Sequence, residues 1–173
     1  MIHKNKIMKS LGQIPEFKIL EKKELLWLES QLNSKRILAG KTISHQGEIN
    51  NDIIFLNDGI LSAVYSTDKK IHIRDFYFSG NFFRDYQSHS NQEPSKFSIK
   101  AVTNSVIQII TYEKLNEIFA RLPIIKSISE DLDKIGFMNI SKRFETMLIL
   151  NPEERYLELI RERPFLLNEI PLI

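Results

Sequence analysis

Residues 52–66 read DIIFLNDGILSAVYS, and this stretch decides the fold class. Two runs rich in Ile, Phe, Leu, Val and Tyr flank Asn57-Asp58-Gly59, turn chemistry that predicts a hairpin between two antiparallel strands. Similar short runs recur on either side: KRIL (35–38), KTISH (41–45), KIHIRDFYF (70–78), KFSIKAV (96–102) and SVIQIIT (105–111). Turn-forming residues separate them, among them Ala39-Gly40, the QGEINN stretch (46–51), TDK (67–69) and Ser79-Gly80-Asn81. Strands this short at this spacing predict an antiparallel sandwich or barrel.

Outside this region the apolar period becomes helical. FKILEKKELLWLESQL (17–32) places Phe17, Leu20, Leu25, Leu28 and Leu32 at near-helical spacings, widened by Leu26 and Trp27, so the first 33 residues read as helical. After Thr111, YEKLNEIFARL (112–122) predicts a short helix, and Pro123 opens a long one to about Leu150, a rod of roughly 40 Å. That rod carries two stripes. Ile125, Ile128, Leu132 and Ile135 step by 3, 4 and 3, a heptad seam; Phe137, Ile140, Phe144 and Met147 repeat the steps displaced by two residues, about 200° round the helix. The first stripe is expected to pair two chains and the second to be covered by another element; the alternative is that the helix buries both stripes against its own domain. Asn151, Pro152 and Glu154 have the N-cap, first-turn proline and third-residue carboxylate of a new helix, which should end before Pro164.

Composition narrows the chemistry. At 173 residues and 20.3 kDa the chain fits one domain, or a domain with an extension. Twenty-four Lys and Arg against 22 Asp and Glu leave a net charge of +2, too weak to indicate nucleic-acid binding by itself. No cysteine is present, which excludes disulfides, thiolate nucleophiles, thiolate zinc sites and cysteine-ligated iron–sulfur clusters. No apolar run approaches the roughly 18 residues of a membrane span, and MIHKNKIMKS lacks the apolar core of a signal peptide, so a cytoplasmic protein with no membrane partner is expected. Neither a Gly-x-Ser-x-Gly motif nor a glycine-rich phosphate loop occurs, and the reading is non-enzymatic.

The order of these elements, with GKTISHQGE (40–48), DIIFLNDGILSAVYS, FYFSGNFF (76–83) and NPEERYLELIRERPFLLNEIPL (151–172), resembles the effector half of the Crp/Fnr transcription regulators. The resemblance implies an α+β fold, a cyclic nucleotide-binding-like β jelly roll (a double-stranded β-helix) with an N-terminal helix and a long C-terminal dimerisation helix. The expected division is an N-terminal helical segment at 1–33, the β-roll at 34–121, the dimerisation helix at 122–150 and a linker helix at 151–173. In the family, a segment like Glu169-Ile170-Pro171-Leu172 introduces the helix-turn-helix, so this chain is expected to stop short of its DNA-binding domain. A homodimer is implied, with Ile125, Ile128, Leu132 and Ile135 at its interface and DNA bound through the domain the chain lacks.

The resemblance also places an effector pocket. Where nucleotide-binding members carry a Gly-Glu pair, this sequence has Arg84-Asp85; where they carry a phosphate-binding arginine, it has Ser95, with Lys96 beside it. A cyclic phosphate would lack its bidentate cation, so cyclic AMP is not expected to bind in the usual mode, and the identity of any small-molecule effector stays open. No cofactor is implied: His3, His45, His72 and His89 have no recognisable partner for haem. The alternative is a stand-alone ligand-binding or dimerisation module without DNA binding. A more distant one is a cupin-like metal enzyme, toward which His45-Gln46-Gly47-Glu48 offers one His and one Glu.

Overall fold

The computed structural model describes residues 9–68, 70–164 and 167. By its internal contacts the chain divides into two compact units, Met1–Ile128 and Ser129–Ile173.

The first unit is built on eight strands: β1 (Asn33–Ile37), β2 (Thr42–Ser44), β3 (Ile53–Asp58), β4 (Ile60–Ser66), β5 (Ile71–Phe78), β6 (Phe82–Phe83), β7 (Ser98–Ala101) and β8 (Ser105–Ile110). They form two antiparallel sheets, ordered β1-β8-β3-β6 and β2-β7-β4-β5, which is the expected jelly roll. Two-residue alternation decides which side chains enter the space between the sheets. Ile54, Leu56, Ile107 and Ile109 come from the first sheet and Leu61, Ala63, Ile99 and Ala101 from the second, with Phe83 and Phe97 completing the core. Strand β3 is buried along nearly its whole length because its outer face is covered as well. Phe55 stacks on Phe82 at 4.6 Å between ring centroids, and Phe82 stacks on Phe17 at 5.4 Å. That double cover explains why DIIFL reads as an apolar run rather than an alternation.

The structure corrects the expected hairpin at Asn57-Asp58-Gly59. Strands β3 and β4 lie in different sheets, so the stretch is a crossover from one sheet to the other. Asp58 is still paired, with Val106, which leaves Gly59 alone to turn the chain. One residue cannot close a two-residue hairpin turn, and Gly59 makes the corner at φ +105°, a conformation that favours glycine. The true hairpin joins β4 to β5, closed by Thr67, whose N–H donates to Lys70 O at 2.9 Å.

Helices flank the roll. Part of the expected N-terminal helix is instead two 3₁₀ turns, Leu11–Gln13 and Pro15–Ile19, and the α-helix α1 covers only Lys22–Ser30. Phe17 and Leu28 are buried, whereas Leu26 is exposed. Further on lie α2 (Tyr86–Asn91), α3 (Tyr112–Arg121), α4 (Ile124–Ile149) and α5 (Pro152–Glu162). At the start of α5, Asn151 Oδ1 accepts from the N–H groups of Glu153 and Glu154, both at 3.0 Å, while Glu154 Oε2 accepts from Asn151 N–H at 2.8 Å. Within the second unit, Lys142 Nζ bridges to Glu162 Oε1 at 2.9 Å. The segment Glu169-Ile170-Pro171-Leu172 lies outside the described residues.

The expected seam on α4 needs correction. Ile125 and Ile128 are 4% and 5% exposed, so the chain's own core already holds them and they have almost no surface left for a second copy. Leu132 is half-buried and Ile135 exposed. The second stripe, expected to be covered, is open: Phe137, Ile140, Phe144 and Met147 are 70%, 50%, 61% and 63% exposed.

Candidate effector loop

The expected pocket residues lie on the connection from β6 to β7. After Phe83, which pairs with Ile54, the chain leaves the sheet through Arg84 and Asp85 and enters the six-residue helix α2. Asp85 is its N-cap, and Asp85 Oδ1 accepts from Ser88 N–H at 3.2 Å. The helix ends on Gln92 in the left-handed region at φ +57°, which turns the chain back toward β7. That reversal brings Ser95 to Asp85: the Ser95 hydroxyl donates to Asp85 Oδ2 at 2.5 Å. The position that the resemblance sets against the family's Gly-Glu carboxylate and the one it sets against the phosphate-binding arginine are therefore bonded to each other. Both carboxylate oxygens of Asp85 are engaged within the chain, and Ser95 is buried.

The other two expected residues stand differently. Lys96 is exposed. Arg84 is half-buried, its guanidinium 5.4 Å from the centroid of the Tyr86 ring and its Nη1 3.2 Å from His89 Nε2.

The β2–β3 connection closes over this loop. Gly47 N–H donates to Ser95 O, and Ser95 N–H to Glu48 O, both at 2.8 Å. Asn50 N–H donates to Ser88 Oγ at 2.7 Å, Asn51 Nδ2 to Gln92 Oε1 at 3.0 Å, and His89 Nδ1 meets Asn51 O at 2.5 Å. Each is worth about 1 kcal/mol net, so together they hold α2 against residues 47–51. Sequence reading missed Ser88, His89, Asn50 and Asn51. The spacing of Asp85 and Ser88 is a helix-capping signal and was legible; the partners across the loop were not.

Asp52, beside this loop, has a perturbed titration. Burial pushes its pKa above the ordinary carboxylate value and Glu113 adds to that, while the Tyr112 backbone N–H, Lys35 and His89 act the other way. A raised acid pKa means that folding favours the protonated form. The penalty is absent below the ordinary value and fully present above the folded one. Asp52→Asn keeps an acceptor for the Tyr112 N–H and removes the charge. It is expected to raise the urea midpoint at neutral pH, with the gain fading as pH falls through the carboxylate range.

Among the described residues, no three metal-ligating side chains converge, and no helix is long and apolar enough to cross a membrane.

The cyclic nucleotide-binding domain family matches residues 34–122. No curated protein matches the sequence. Several solved structures share the fold. A cyclic nucleotide-binding domain from Methylobacillus flagellatus aligns with a TM-score of 0.69 at 14% identity, covering 84% of each chain. The catabolite activator protein of Thermus thermophilus aligns with a TM-score of 0.65 at 16% identity, over 77% of this chain and 62% of its own. The regulatory subunit of a cAMP-independent protein kinase A from Trypanosoma brucei aligns with a TM-score of 0.59 at 17% identity, over 78% of this chain and 48% of its own. A variant of that subunit with three substitutions, one of them threonine to arginine, is bound to cAMP in its A site. The chain thus spans less than two thirds of the Thermus and trypanosome proteins.

Proposed function

The chain belongs to the cyclic nucleotide-binding domain family, and on that premise we propose that it is the effector and dimerisation part of a Crp/Fnr-like transcription regulator whose loop is closed without a cyclic nucleotide. DNA is contacted by a helix-turn-helix domain of the kind such regulators carry, and the protein is not an enzyme. Likeness to the Thermus activator supports the class of protein, and the geometry of Asp85 and Ser95 supports the closed loop. A buried phosphate needs a fixed cation, and a serine hydroxyl already committed to a carboxylate supplies none. The trypanosome subunit is a parallel case: named as cAMP-independent, it was solved with cAMP in a variant that gained an arginine.

The observation that carries the dimer is the open stripe Phe137, Ile140, Phe144 and Met147. Four large apolar side chains at heptad steps, each at least half exposed, are more than the scattered apolar residues of an ordinary surface. A second copy carries the same stripe, and pairing the two gives a twofold, self-complementary seam. The mechanism follows: the roll anchors the first turn of α4 through Ile125 and Ile128, and the later turns join the partner and so set the spacing of the two DNA-binding domains. Sedimentation equilibrium of the wild-type chain is expected to return twice 20.3 kDa. A single-chain mass at every concentration would remove the dimer from this reading.

A further inference from the structure

Away from the effector loop, the first unit has a hollow of about 310 Å³ between α1 and the C-terminal end of α3, lined by Lys23, Glu24, Trp27, Arg121 and Leu122. That volume falls at the lower end of small-molecule sites, which span about 300–1,000 Å³. Trp27 is the only tryptophan of the chain, and the Arg121 guanidinium stands 4.4 Å from the centroid of its ring. The ring holds the cation without neutralising it, and among the described residues Arg121 has no carboxylate partner. Glu24 Oε2 accepts from Glu21 N–H at 2.9 Å, the capping contact that fixes this carboxylate on the first turn of α1. Its Oε1 has no partner among the described residues. Lys23 is already bridged to Glu21, at 2.9 Å. Trp27 and Leu122, both half-buried, supply apolar surface.

The hollow therefore offers a held cation, a held carboxylate and an apolar wall. A simple anion would meet Arg121 but be repelled by Glu24, and a simple cation would meet the reverse. A ligand carrying a carboxylate and an ammonium group on one carbon satisfies both. We propose that this hollow binds a free α-amino acid with a large apolar side chain, its carboxylate on Arg121, its ammonium on Glu24 and its side chain against Trp27 and Leu122. Leu122 lies two residues before the start of α4, so the bound amino acid ties α1 to the junction of α3 and α4. The site needs neither the dimer nor the closed effector loop, because all five lining residues belong to the first unit.

The single indole provides the probe. L-Phenylalanine is titrated into the full chain while the Trp27 Nε1–H signal is followed in proton–nitrogen correlation spectra. A saturable shift is expected, with a dissociation constant on the order of 1 mM. Phenylpropionate, which lacks the ammonium group, and phenethylamine, which lacks the carboxylate, should each bind on the order of tenfold more weakly, as should phenylalanine to Arg121→Gln or Glu24→Gln. Glu24→Gln keeps an oxygen to cap α1, and the dispersion of the spectra reports that both variants remain folded. Absence of a saturable shift, equal binding of either analogue, or unchanged affinity in either variant would overturn the proposal.

Discussion

Replacing Phe144 with Asp is expected to convert a two-chain assembly into single chains. Phe144 is 61% exposed and lies in the middle of the open stripe of α4, with Ile140 one turn before it and Met147 one turn after. Burying a side chain of this size stabilises by roughly 1.5–3 kcal/mol, and twofold symmetry counts it twice, so removal costs roughly 3–6 kcal/mol of association. That is on the order of 10²–10⁴-fold in the dissociation constant, before the cost of placing two carboxylates in an apolar seam. Because the residue is exposed in one chain, the variant should keep the circular dichroism spectrum of the wild type. Sedimentation velocity separates the outcomes: a monomer boundary is the expected result, and an unchanged dimer would place the interface elsewhere.

Gly59→Ala is expected to destabilise the first unit by roughly 2–5 kcal/mol. A methyl there meets the Ser105 side chain and lies 2.8 Å from Ser105 Cα, a backbone atom held in β8. Neither strand can move aside, since Asp58 is paired with Val106 and Ile60 N–H donates to Thr103 Oγ1 at 2.9 Å. The left-handed φ adds its own cost. Against a total of roughly 5–15 kcal/mol, the change should lower Tm by roughly 4–20 °C. Gly136→Ala provides the contrast: an added methyl meets nothing within 4 Å in the middle of α4, so it should stabilise by roughly 0.5–1 kcal/mol. A Gly59→Ala midpoint equal to wild type would mean that the corner is not fixed as argued.

Much of the roll was legible because strand burial writes itself into residue order. The runs KTISH, ILSAVYS, KIHIRDFYF and SVIQIIT each hold a strand. The corner at Gly59 was misread because glycine beside Asn and Asp serves a hairpin and a sheet crossover equally well, and only pairing across the core distinguishes them. Strand β6 has two residues and no period to detect.

The burial of the first stripe was not legible for a related reason. Heptad spacing identifies an apolar face but not the body that covers it. Ile125 and Ile128 went into the chain's own core and Phe137 through Met147 stayed open. In the effector loop, Arg84, Asp85, Ser95 and Lys96 were located by resemblance, yet the bond from Ser95 to Asp85 depends on a ten-residue return through the left-handed Gln92. No local pattern encodes that return.

We propose that this family member keeps the roll of its family and closes the position matching the phosphate-binding arginine with a bond of its own, from Ser95 to Asp85. Calorimetric titration of cyclic AMP into the wild-type chain tests it most directly. No saturable heat is expected up to millimolar ligand, whereas a dissociation constant below about 100 μM, on the order of −5.5 kcal/mol of binding, would contradict a loop closed in this way.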